Sequence, residues 1–186
     1  MKKTAALTTV FVLGLATVGL CAVPNPNAGI GDVQFGYNHY ELKKTAGGVD
    51  HGKKGFDEVY ANVGLGLGYG VFINHAASSE TSYTDYGLQT SLLIPNVSLM
   101  AGQRHMSTDN MDSDNSLFYG AAVRQPLGGG VAVYATYQNG TDFKDESVGL
   151  TYSLNKNAQL DVSWKRYDDN NGAHFKGLGA GVNFKF

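Results

Sequence analysis

In the stretch His105-Met106-Ser107 an imidazole and a hydroxyl stand two positions apart, so on an extended strand they share one face. A serine hydrolase uses such a pair as base and nucleophile, with a third group to orient the imidazole. No Glu stands at matching height on the next stretch, and Asp109 or Asp112 would have to serve from a loop. No catalytic set and no enzymatic activity are therefore expected. The histidines His39, His51, His75, His105 and His174 show no ligand spacing, so neither a metal site nor a cofactor is expected. The run Asp112-Ser113-Asp114-Asn115-Ser116 begins like a calcium loop. Its sixth position is Leu117 instead of Gly, and its twelfth is Val123 instead of Glu, so it fails that test.

The residues with room for another chemistry are polar and alternate with apolar ones. Val33, Phe35 and Tyr37 mark one face of 32–42, and Val59, Ala61, Val63 and Leu65 one face of 56–66. The same period of two recurs in 71–75, 85–94, 97–105, 117–124, 131–138, 148–154, 160–167 and 174–186. Period two is the mark of strands with one apolar face. The count is ten. The stretch 71–75 is short, and an eight-stranded arrangement with an irregular second hairpin is the alternative.

Composition agrees. The 186 residues include 25 Gly, 11 Tyr and 9 Phe but one Cys and 16% charged residues, which excludes a disulfide scaffold. A formal charge of -2 without a basic stretch leaves no footprint for nucleic acid. Lys2 and Lys3 precede the apolar stretch from Ala5 to Leu20, which ends in small residues and reads as a secretory signal peptide over 1–22. Residues 23–30 would follow as a short periplasmic segment and 31–186 as one domain. Cleavage after Ala22 would remove Cys21 and leave 12 Lys and Arg against 16 Asp and Glu. A lipid-modified Cys21 is the minority reading, because Leu20 precedes it.

Long connections (43–55, 76–84, 107–116, 139–147, 168–173) alternate with short ones (67–70, 95–96, 126–129, 155–158) along the chain. The long ones hold most of the 16 acids, among them Asp50, Glu80, Asp109, Asp112, Asp114, Asp142, Asp145, Glu146 and Asp169. A soluble sandwich has no reason to gather every long loop at one end, whereas membrane barrels have short periplasmic turns and longer outer loops. Over the whole mature length the chain resembles the small porin-like outer-membrane β-barrel proteins of bacteria. Its closing Val182-Asn183-Phe184-Lys185-Phe186 looks like their C-terminal signal, with Phe184 and Phe186 as the residues read by the barrel-assembly machinery. The resemblance implies a closed antiparallel transmembrane barrel in the bacterial outer membrane, in contact with outer-membrane lipid and lipopolysaccharide. A monomer is expected, since a closed barrel has no free edge.

Aromatic girdles are then expected, with Tyr69, Phe184 and Phe186 at the periplasmic edge and Tyr86, Tyr119, Tyr137 and Trp164 at the outer edge. Alternation turns Gln34, Asn38, Glu58, Tyr60, Asn62, Gln89, Ser91, Arg104, Arg124, Tyr134, Gln138, Asp161, Ser163, Lys165 and Asn183 into the lumen. Of these Glu58, Tyr60, Asn62, Gln89, Arg104, Arg124, Tyr134, Asp161 and Lys165 are the candidate lumen lining. Charges inside a membrane span are costly unless paired or wetted, so they either plug the lumen or line a narrow path. Small inward residues at Gly149, Thr151, Ser153, Gly177, Gly179 and Gly181 are expected to leave space along one wall. A narrow channel for small hydrophilic solutes and a non-conducting structural or surface-interaction barrel therefore stand side by side. The His-x-Ser stretch also resembles that of the barrel deacylases, which keeps a lipid-modifying hydrolase as a third reading.

Overall fold

The computed structural model describes residues 30–91, 96–108, 113–170 and 172–186. The expected signal peptide, Cys21, Asp109 and Asp112 lie outside them. Ten strands follow in order: β1 (Val33–Ala46), β2 (Val49–Gly66), β3 (Tyr69–Ala77), β4 (Thr81–Thr90), β5 (Val97–Thr108), β6 (Asp114–Gly128), β7 (Val131–Gly140), β8 (Phe143–Ser153), β9 (Ala158–Asp169) and β10 (Ala173–Lys185). Each pairs antiparallel with its neighbours, and β1 pairs with β10, so the sheet is a closed barrel. The eight-stranded alternative is excluded, because the short stretch 71–75 is the middle of a full strand, β3. Closure leaves no strand edge bare, the condition for a sheet to sit in hydrocarbon.

Three of the hairpin turns explain themselves locally. Gly47-Gly48, Leu67-Gly68 and Gly129-Gly130 each place two consecutive residues at positive φ, as two-residue turns between right-handed twisted strands require. Leu67, at φ 52°, is the one non-glycine of the six and carries the strain of that region.

The Gly47-Gly48 turn corrects one expectation. Residues 43–55 are no loop: β1 and β2 run on as a paired ribbon, with one irregularity between Lys43 and Thr45. The connection at 139–147 likewise shrinks to Thr141 and Asp142. Of the acids assigned to loops, Asp145 is instead a buried, inward residue of β8.

Outward faces carry the apolar residues. Ile73, Leu88, Val162 and Leu178 are 50%, 62%, 57% and 66% exposed, far more apolar surface in one belt than a soluble monomer leaves to water. Trp164, Tyr86, Tyr119 and Tyr137 lie outward toward the end opposite the chain termini, and Tyr69, Tyr152 and Phe186 outward near the termini. Their polar tips find partners, as in Tyr86 Oη donating to Gln103 Oε1 at 2.7 Å and Asn139 Nδ2 donating to Tyr119 Oη at 3.2 Å. Such amphipathic rings suit a water–lipid boundary. At the terminal end Phe186 and Val33 exchange both backbone hydrogen bonds, 2.8 and 3.0 Å.

Candidate functional site

The lumen gathers the buried polar side chains of the described residues. Alternation on β2, β4, β5, β8 and β9 brings Glu58, Asp85, Arg104, Asp145 and Lys165 to one level, each at most 6% exposed. The Arg104 guanidinium donates from Nε and Nη2 to the two oxygens of Asp85 at 2.6 and 2.7 Å. It also donates to Gln138 Oε1 at 3.2 Å and to Asp145 Oδ2 at 3.3 Å. Its plane lies between the rings of Tyr83 and Phe143, 3.8 and 3.7 Å from their centroids. Lys165 Nζ bridges Glu58 at 3.0 Å and Asp145 at 3.3 Å, and Asn74 Nδ2 donates to Glu58 at 2.7 Å. Three carboxylates thus share two cations across the width of the barrel. Charges this far from water stay ionised only when paired and hydrogen-bonded in this way.

Aromatic rings close the level toward the end opposite the termini. Phe143 and Phe175 both pack on Tyr167, at 6.3 and 5.8 Å between centroids, Tyr83 stacks on Tyr167 at 5.9 Å, and Phe56 meets Phe175 edge-on at 5.6 Å. Above them Lys44 and Lys54 reach from the β1–β2 ribbon to Glu80 of the β3–β4 loop, with Lys44 Nζ at 2.9 Å. These two ammonium groups hold the Glu80 carboxyl down at about 2, against an ordinary 4.5.

The other expected lining residues face the lumen as well. Toward the terminal end Tyr134 Oη donates to Asp161 Oδ1 at 3.1 Å, and Arg124 Nη2 to Thr151 Oγ1 and Gln159 Oε1 at 3.1 and 2.8 Å. Gln89 Nε2 donates to Asn62 Oδ1 at 3.2 Å, and Tyr60 is buried beside them. The wall of small residues is not empty, which corrects the expectation of free space there. A Cβ on Gly149 would sit 2.6 Å from the Tyr134 ring, and one on Gly179 would enter the Tyr40 ring. One on Gly181 would meet Asn38, and one on Gly177 the backbone of Glu41. Neighbouring strands fill the glycine gaps with their own rings, an arrangement that pins register. Among the described residues a cavity of about 60 Å³ lies beside Tyr40, Tyr60 and Lys165, and a recess of about 350 Å³ at the terminal mouth around Arg124. The two share no lining residue.

Sequence reasoning missed Asp85, Asp145, Tyr83 and Phe143. Their period-two spacing with Gln89, Gly149 and Thr151 was the available signal.

On the outer face, His105 Nδ1 lies 3.1 Å from Asn115 Oδ1 on β6, so a neutral amide stands where an orienting acid was sought. Ser107, two residues on, shares that face, and no hydrogen bond joins its hydroxyl to the imidazole among the described contacts. The same cross-strand habit recurs in His39 with Asp57, His75 with Thr84 and His174 with Asp168, all at 2.8–2.9 Å. No group of three His, Cys, Asp or Glu among the described residues could hold a metal ion.

Neither a protein-family model nor a curated protein matches the chain. Solved structures do. The Ail attachment invasion locus protein of Yersinia pestis, in complex with sucrose octasulfate, is 11% identical over 84% of this chain and 99% of its own, with a TM-score of 0.45. Outer membrane phospholipase A from Escherichia coli is 13% identical over 81% and 89%, TM-score 0.48, and the KdgM porin 11% over 82% and 99%, TM-score 0.48. The likeness is to the fold of outer-membrane barrels. Function rests on this chain's own side chains.

Proposed function

We propose that the protein is a non-conducting barrel of the bacterial outer membrane, whose work is done by its outer rim and its projecting β1–β2 ribbon. The observation that carries this reading is the Arg104–Asp85–Asp145–Lys165–Glu58 level, roofed by Tyr83, Phe143 and Tyr167, which crosses the lumen. Side chains nearly fill the interior of small barrels, and here the cavity beside Tyr60 and the recess at the terminal mouth share no lining residue. The belt of outward aliphatic residues between two aromatic girdles supports a membrane position. Phe184 lies outward beside Phe35, a disposition compatible with reading by the assembly machinery before the barrel closes. The chain is assigned no catalysis, since His105 behaves like the other histidines of the outer face.

The test is conductance of the refolded protein in a planar bilayer, with insertion checked separately by protease protection. Inserted protein is expected to stay silent. Steady discrete steps at low voltage would overturn the reading and return the chain to the narrow-channel class, with Arg124 at its mouth.

A further inference from the structure

The outward cations of the strands are gathered on one side of the barrel. Lys53 on β2, Lys43 on β1, Lys176 on β10, Arg166 on β9 and Lys144 on β8 all face out, whereas β3 to β7 present no outward Lys or Arg among the described residues. Four of them form a single row. Lys43 stands directly opposite Lys53 on one side and Lys176 on the other, and Lys176 stands opposite Arg166. With strands ~4.8 Å apart, the row puts four positive groups within roughly 15 Å.

Like charges directly opposite each other weaken a sheet, so the row needs counter-charge. Asp50 supplies it to Lys43 at 2.7 Å, Glu41 to Lys53 at 2.7 Å and Asp168 to Arg166 at 2.6 Å. Lys176 has no ion pair among the described residues. Asp50 and Glu41 are themselves more than half exposed, and pairs of that kind exchange for another anion at little cost. The row below, on the same faces, is Glu41, Leu178, Trp164 and Val148, and below that His39, Ala180, Val162 and Leu150. Positive groups therefore sit one pleat above an aromatic and aliphatic surface. An open groove of about 400 Å³ between Thr45, Trp164, Arg166, His174 and Lys176 joins the two levels.

We propose that this face binds a phosphate-bearing lipid of the surrounding leaflet. Its headgroup phosphates pair with Lys43, Lys176 and Arg166, and its chains lie over Leu178, Trp164 and Val162. Phosphate suits the row because it offers several acceptor oxygens to cations spaced along a line. The apolar half of such a lipid requires the surface that the strands place directly beneath. The proposal rests on the membrane position argued above.

The experiment uses the full chain in nanodiscs of neutral phosphatidylcholine, titrated with purified lipopolysaccharide as the phosphate-bearing lipid and read by native mass spectrometry. The unaltered protein is expected to retain the added lipid at least tenfold more than the triple variant K43Q/R166Q/K176Q. Lys156→Gln, in the turn at the terminal end, should leave retention unchanged. Inorganic phosphate alone should not displace the lipid. If the triple variant does not fold, the single Lys176→Gln carries the test with about a threefold loss, since that side chain has no ion pair among the described residues. Equal retention by wild type and variant, or displacement by free phosphate, overturns the lipid site while leaving the barrel reading intact. Failure of the protein to insert at all overturns both.

Discussion

Arg104 can be removed as a direct trial of the lumen packing. The substitution Arg104→Ala strips two short contacts from Asp85, one each from Asp145 and Gln138, and the filling between Tyr83 and Phe143. Summed as separate charged hydrogen bonds the loss would exceed the stability of many domains, which signals double counting. The governing quantity is the carboxylate left behind: Asp85 is 0% exposed, and one partner of a buried pair typically costs 3–5 kcal/mol to orphan. We expect about 4 kcal/mol, measured by reversible urea unfolding of the refolded barrel in lipid vesicles. The double variant Arg104→Met, Asp85→Asn removes both charges, keeps much of the volume, and should recover at least about 2 kcal/mol of that loss. A cost under about 1 kcal/mol for Arg104→Ala, with no recovery in the double variant, would refute the account of the lumen as a paired and packed interior.

Four further outcomes are expected. Gly179→Ala drives a methyl into the Tyr40 ring and should cost about 1–3 kcal/mol as overpacking, less in a Tyr40→Ala background, by the same unfolding measurement. Glu80, held low by Lys44 and Lys54, contributes stability that is present above about 4.5 and lost as pH falls through about 2. Because its side chain is 42% exposed, Glu80→Gln should lower stability at pH 7 by under about 1 kcal/mol and flatten the acid titration. Trp164 is the one tryptophan of the chain, so its fluorescence reports one depth: lipids brominated near the headgroup should quench it more than lipids brominated at the chain ends. Incubation with radiolabelled phospholipid should release no fatty acid, and Ser107→Ala should change nothing; release lost in that variant would restore the hydrolase reading.

Strand number and facing were legible because a half-buried strand repeats every two residues whatever its tertiary partners. Gln34, Asn38, Glu58, Asn62, Arg104, Asp161 and Lys165 were turned inward on that ground alone, and all are buried in the structure. Strand length was not legible. Charge density was read as the mark of a loop, yet Asp145 is charged and lies in a strand, because its counter-ions Arg104 and Lys165 come from β5 and β9. Gly47-Gly48, at φ 57° and 79°, is the local mark of a tight turn inside a stretch whose charge density reads as loop. The glycine wall failed for another reason. Whether Gly149 and Gly179 leave space depends on which side chains stand opposite, Tyr134 and Tyr40, and that pairing follows from register across strands.

The pairing of β1 with β10 joins residues such as Gln34 and Asn183, 149 positions apart, by a side-chain hydrogen bond. A growing or truncated chain that lacks β10 therefore carries two bare edges at once, each a template for another strand. Half of a helical bundle is still a set of helices, but nine-tenths of this barrel is an adhesive sheet. Until the last strand arrives the chain must be kept from its own copies by something other than its fold.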